Sequence, residues 1–293
     1  MPSHERVNTI FAIFAIAFYN HDMKWPRSVT MIRHSESAYN ALRAAKEKDP
    51  EYQAFLAAFR NRRKDPETAR RIAESLIGDG RFVLKTGDYD TGITDYGKFQ
   101  AETTGAALKA RGAKLPHVVF VSPYRRTRQT HEGLMRGWPE LAGVRPVEDE
   151  RIREQEHGLS LLYSDWKIFQ VMHPEQEQLY KLEGRYWYRY PQGESVPDVR
   201  ERWRSMNNSF TRDYSGQDLM VITHHLSILA YRANMERLDA HGFKKLDDTQ
   251  KPVNCGVTLW EGDPLQGHNG RLALAAYNEQ LYDPQQYQTT LPH

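Results

Sequence analysis

Apolar residues recur along this chain in two registers. Val29-Thr30-Met31-Ile32 alternates as a short buried strand and delivers Arg33 and His34 into the small polar turn Ser35-Glu36-Ser37. Ser35 and Ser37 are favourable N-cap residues, and Ala38 to Leu42 opens a helical pattern. That pattern runs to about Ile77, with breaks at Asp49-Pro50 and Asp65-Pro66, where proline suits the first turn of a new helix. A helix fits Asp95 to Lys109, and the strand His117 to Val121 then runs into Ser122-Pro123. Asp198 to Tyr214 is amphipathic at helical spacing after Pro197. Asp218 to Thr223 is a second central strand, ending at His224-His225 with a helix from Leu226. Asn254 to Trp260 and Leu272 to Tyr277 read as late strands, and the Gln-rich end from Asp283 to Gln288 as a loose tail. The alternation predicts an α/β fold: a three-layer α/β/α sandwich around a mostly parallel central sheet, with a helical insertion after the first strand.

Sites in parallel sheets form at the carboxyl ends of strands. Here such ends carry Arg33-His34, the segment Ser122 to Arg126, and His224. His34 would stand beside free backbone N–H groups at a helix start, a position that attracts anions, and a histidine held there can attack phosphorus.

Composition narrows the picture. The 293 residues accommodate one large α/β domain or two small ones. We divide them into a hydrophobic extension at 1–25, a main domain at 26–280 with the insertion at about 41–92, and a tail at 281–293. A net charge of +2 argues against a nucleic-acid partner. The single cysteine, Cys255, excludes an internal disulfide and fits a reducing compartment. No His/Cys cluster has zinc spacing, so no metal is expected. Thr9 to Phe18 is apolar but too short to span a bilayer. A cytoplasmic protein is the expectation. The alternative is export or membrane association through 9–18, since Ala15-Ile16-Ala17 resembles a cleavage site; Met23 is another candidate start.

Several motifs, in order, resemble the histidine phosphatase (phosphoglycerate mutase-like) superfamily, and most closely its broad-range phosphatases. The Arg-His-Gly-Glu/Gln-Ser/Thr motif is similar to Arg33-His34-Ser35-Glu36-Ser37, with the later asparagine at Asn40. Leu-Thr-x-x-Gly-x-x-Gln-Ala resembles Ile93-Thr94 through Gly97 to Gln100-Ala101, and Ser-Pro-x-x-Arg resembles Ser122 to Arg126. The acidic motif resembles Arg151 to Glu154 with Gly158, and Gly193-Glu194-Ser195 precedes a helix as in the family. His224 matches the second histidine. The stretch Tyr188-Arg189-Tyr190-Pro191, continuing through Asp198 to Arg202, resembles the phosphatase branch. Ser35 and His225 replace two family glycines.

The resemblance implies a phosphomonoester hydrolase without cofactor or metal. His34 would become phosphorylated and Glu154 would serve as general acid and base, with Glu156 as its rival. Arg33, Asn40, Arg126 and His224 would bind the phosphoryl group, His224 also counting as catalytic and adding charge if protonated. Ser35, Thr94 and His225 are additional candidates. The implied partner is a phosphorylated small molecule, with a phosphoprotein and a homodimer left open. A phosphoglycerate mutase and a catalytically weak phospho-ligand binder are the alternatives. The insertion carries Arg60, Arg62, Arg63, Lys64, Arg70 and Arg71, which read equally as a solvated face or as a substrate-selecting lid.

Overall fold

The computed structural model describes residues 24–290 except 81, 267 and 268; the apolar run at 9–18 and Met23 lie outside the described residues. The strands are β1 (Ser28–Arg33), β2 (Val118–Val121), β3 (Arg145–Glu148), β4 (Asp218–Thr223), β5 (Val257–Asp263) and β6 (Arg271–Glu279). They form one sheet in the order β3-β2-β4-β1-β5-β6. The first four in that order pair in parallel, while β5 and β6 are antiparallel additions.

Around the sheet lie α1 (Ala38–Lys46), α2 (Pro50–Asn61), α3 (Pro66–Asp79), α4 (Asp95–Ala110), α5 (Arg125–Gly137), α6 (Trp166–Met172), α7 (Pro174–Trp187), α8 (Val196–Asp213), α9 (His225–Met235), α10 (Ala240–Thr249) and α11 (Pro284–Thr290). Period-two alternation splits the central strands between two layers. Val29, Met31, Leu219 and Val221 face a core built with Trp203, Phe210 and Tyr231 of α8 and α9. Ile32, Val119, Val121, Met220 and Ile222 face the opposite core, with Leu108 and Leu134 of α4 and α5. None of the described helices is long and apolar enough to cross a membrane.

The register of the central strands is what assembles the site. Arg33 of β1 lies opposite Thr223 of β4, and Val121 of β2 opposite Ile222. The ladder continues one step further, His34 N donating to Thr223 O and Ser122 N to Ile222 O, so His34, Ser122 and His224 leave the sheet side by side.

The breaks at Asp49-Pro50 and Asp65-Pro66 become helix starts, each capped by its aspartate. The insertion does not stand apart. Tyr52, Phe55, Phe59 and Leu76 share a core with Ile168 of α6. Lys46 and Asp165 form a buried ion pair at 2.5 Å, and Tyr52 donates to the same carboxylate. Arg62 reaches Glu177 of α7 with its guanidinium over the Phe59 ring. Arg62 is therefore a strut between helices, whereas Arg70 pairs with Glu74 on an exposed face.

Two expectations are corrected. The tail is not loose: Pro284 starts α11, Tyr282 is buried, and Tyr287 packs on Tyr96 and Phe99 of α4 at 4.9 and 5.4 Å. Its aromatic residues, rather than its glutamines, decide the outcome. The expected strand from Asn254 begins only at Val257, because Asn254 instead donates to His34 O and to Asn40 Oδ1.

Candidate active site

His34 follows directly on β1 and is buried, 4% exposed. Its Nδ1 lies 2.7 Å from Ser35 O. A peptide carbonyl only accepts, so Nδ1 carries the proton and Nε2 keeps its lone pair. Burial, followed by the charges of Arg126 and Arg33, holds the His34 imidazole well below the usual histidine range. The ring is neutral, the form a nucleophile needs.

Arg33 donates through Nη1 to Pro252 O, while its buried Nε has no partner among the described residues. Burial pulls the guanidinium down to about 10, with Glu154 opposing the fall and Arg126 adding to it. It stays charged at neutral pH, and a buried cation with an unused donor favours an anion beside it.

Arg126 sits in the first turn of α5, 5% exposed. Its Nε donates to His224 Nδ1 at 3.3 Å, and its guanidinium lies 4.5 Å from the Tyr124 ring centroid. Because arginine only donates, His224 Nδ1 accepts, and Nε2–H donates to Ser122 Oγ at 2.7 Å. Both ring nitrogens of His224 are thus occupied. Burial, then Arg126 and His34, hold its imidazole well below the usual range. The positive charge expected of a protonated His224 is therefore absent from the free protein; the arginines supply it.

Glu154 Oε1 accepts from Gln155 N and from Leu226 N in the first turn of α9. Glu156, its rival, is turned to Arg153 at 3.1 Å and lies at the more exposed rim. The loop is clamped by Arg202, which donates to Arg151 O, Arg153 O and Glu154 O and pairs with Glu194. Gly158 has a φ of +47°, and a Cβ there would lie 2.1 Å from Pro191 O, so only glycine fits this turn.

The remaining candidates have local duties. Asn40 Oδ1 accepts from Ser37 N and Ser37 Oγ, closing a capping box on α1. Its Nδ2 has no protein partner among the described residues. Ser35 is fully buried with its hydroxyl engaged by Thr130 Oγ1. Thr94 caps α4 and donates to Glu36 Oε1, so it positions the His34 turn rather than facing a ligand. Gly97, one turn on, has no room for a side chain, since a Cβ would lie 2.3 Å from Glu36 O. His225 Nε2 is 3.2 Å from Oδ1 of the buried Asp247, which also pairs with Arg185.

Sequence reasoning missed Asp88. Arg126 Nη1 donates to Asp88 O at 2.8 Å and to Asp88 Oδ1 at 2.9 Å. No motif marks that loop; the only signal was an aspartate a few residues before Thr94. Among the described residues no group of three or more His, Cys, Asp or Glu is placed to hold a metal.

The arrangement can set two arginines against a tetrahedral dianion beside a neutral imidazole, with the Glu154 carboxyl near enough to act on Arg33. A solved structure of mycobacterial glucosyl-3-phosphoglycerate phosphatase with inorganic phosphate superposes with a TM-score of 0.56 at 18% identity, covering 87% of this chain and 98% of that one. Phosphoglycerate mutase-like protein AT74 of Arabidopsis thaliana is 32% identical over 209 residues, covering 66% of this chain. The chain spans 62% of that relative's length. Its Arabidopsis counterpart AT74H is 26% identical over 221 residues, covering 69% of this chain and 74% of that protein. The sequence model of the histidine phosphatase superfamily (branch 1) matches residues 80–271, more than half of the chain, and the protein belongs to the histidine phosphatase superfamily.

Proposed function

We propose that the protein hydrolyses phosphomonoesters through a phosphohistidine on His34. The observation that carries this reading is the locked tautomer: Nδ1–H on Ser35 O leaves Nε2 as a buried, neutral nucleophile beside Arg33 and Arg126. Nε2 attacks phosphorus as the bond to the leaving oxygen breaks, and Glu154 gives that oxygen its proton. Glu154, now a carboxylate, takes a proton from the water that attacks phosphorus. The P–N bond breaks, and inorganic phosphate leaves a neutral His34. Arg33 and Arg126 hold the equatorial oxygens in both steps, so no step calls for a metal. The substrate class is a phosphorylated small molecule, and the free, buried Cys255 suits a reducing, cytoplasmic setting.

The curated relatives' names favour a second reading, a mutase that returns the phosphoryl group to a phosphoglycerate rather than to water. One assay separates the two. Phosphate release from p-nitrophenyl phosphate and a metabolite panel is compared with interconversion of 2- and 3-phosphoglycerate, using His34→Ala as control. Release abolished by His34→Ala supports the phosphatase. Interconversion with little release supports the mutase. Loss of neither activity on His34→Ala defeats both.

A further inference from the structure

The neighbour of Arg126 that no motif marked gives the site a property of its own. Asp88 is held firmly in place. Thr91 N donates to Asp88 O, Thr91 Oγ1 to Gly87 O, and Arg125 N at the start of α5 to Tyr89 O. The Tyr89 ring packs on Tyr124 at 5.5 Å. From this turn Asp88 presents its carboxylate to both η nitrogens of Arg126, at 2.9 and 3.5 Å. Its charge also reaches Tyr39, Tyr124 and His157, which come from three different segments of the chain. A carboxylate on a guanidinium fork occupies the same donors that two phosphoryl oxygens would use.

We propose that Asp88 is an internal anion that competes with the phosphoryl group for Arg126 and so limits how tightly the site holds free phosphate. The proposal rests on the phosphomonoester reading. In the free protein, Asp88 neutralises a buried guanidinium that would otherwise have no ion-pair partner among the described residues. Once a phosphoryl group enters, the carboxylate shares its donors or repels it at close range. Inorganic phosphate has no organic part to offset this competition and leaves readily. A phosphomonoester regains affinity through its organic part, so Asp88 shifts selectivity toward that part of the molecule.

Asp88→Asn keeps an oxygen acceptor for Arg126 and removes the charge; Asp88→Ala removes both. Binding of inorganic phosphate and of vanadate to the full chain is measured by calorimetric titration. Both variants are expected to bind these anions roughly tenfold more tightly or better, with stronger product inhibition. If Asp88 merely positions Arg126, Asp88→Asn binds like the wild type and Asp88→Ala binds more weakly. Either result overturns the proposal. Arg126→Ala and His34→Ala in the wild-type background serve as a separate check on the site. If neither changes phosphate binding, the phosphomonoester reading fails and the competition proposal falls with it.

Discussion

His34 and His224 meet edge to face, their ring centroids 5.2 Å apart, at the ends of the adjacent parallel strands β1 and β4. Two imidazoles this close, with two arginines beside them, resist taking up protons. Each ring satisfies a different requirement: His34 has a free nitrogen, and His224 holds Arg126 and Ser122.

This pair makes stability depend on pH. An imidazole held below its unfolded value is protonated first in the unfolded chain, so its contribution is complete above the ordinary value near 6.5 and is lost as pH falls below it. His34 and His224 are both lowered, chiefly by burial, as are His131 and His157. Urea midpoints should therefore fall as pH drops below about 6.5, each such histidine adding up to about 1.4 kcal/mol per pH unit. Saturating phosphate should flatten the fall, because a bound dianion favours the protonated rings. A midpoint that stays constant between neutral and mildly acidic pH would show that these rings are not held neutral.

Arg126→Lys is expected to behave as a severe change. Lysine has one nitrogen, whereas Arg126 uses Nε on His224 and Nη1 on Asp88 at once. Vanadate affinity should fall at least about tenfold, since forked, charge-assisted bonds are worth about 1.5–3 kcal/mol. His224 also loses its donor at Nδ1, so the pH dependence of stability should shift with it. Inhibition by vanadate and urea unfolding across pH measure the two effects separately.

Much of this site was legible because its chemistry sits at strand ends that alternation already marked. Val29, Met31 and Ile32, Val118 to Val121 and Leu219 to Ile222 are buried almost completely, and the residues after them emerge together. What the sequence concealed depends on tertiary partners. Ser35 and Thr94 look like ligands in one dimension, but their hydroxyls find Thr130 and Glu36. Strand β3 was missed because Arg145-Pro146-Val147-Glu148 is an exposed edge with no alternating apolar face. Asp88 sits in a loop that carries no periodic signal, and only the fold brings it to Arg126.

The insertion should prove part of the folding unit. Asp165 accepts from Lys46 and Tyr52 in a buried setting, with both charged side chains 5% exposed. Removing one partner leaves a buried charge uncompensated, so Asp165→Ala should cost about 3–5 kcal/mol. Replacing both with apolar side chains, as Lys46→Met with Asp165→Leu, should recover most of that loss. Equal losses in the single and the double variant, followed by denaturant unfolding, would locate the cost in packing rather than in charge.

Glu154→Gln gives the sharpest separation of roles, because the need for a proton depends on the leaving group. Glutamine preserves the acceptor that receives Leu226 N and Gln155 N, so the loop and the start of α9 should stay in place. It cannot deliver a proton to the departing oxygen or take one from water. With an alkyl phosphate, whose alkoxide is a poor leaving group, kcat should fall by about 10²–10⁴-fold. With p-nitrophenyl phosphate the first step scarcely needs the acid. The phosphohistidine should then form at near wild-type rate and accumulate, because its hydrolysis still needs the base. A burst of p-nitrophenol followed by slow turnover is the expected trace. Glu156→Gln should show neither effect, since Glu156 is turned to Arg153 at the rim. If Glu154→Gln slowed both substrates equally and gave no burst, Glu154 would be supporting the loop rather than moving protons.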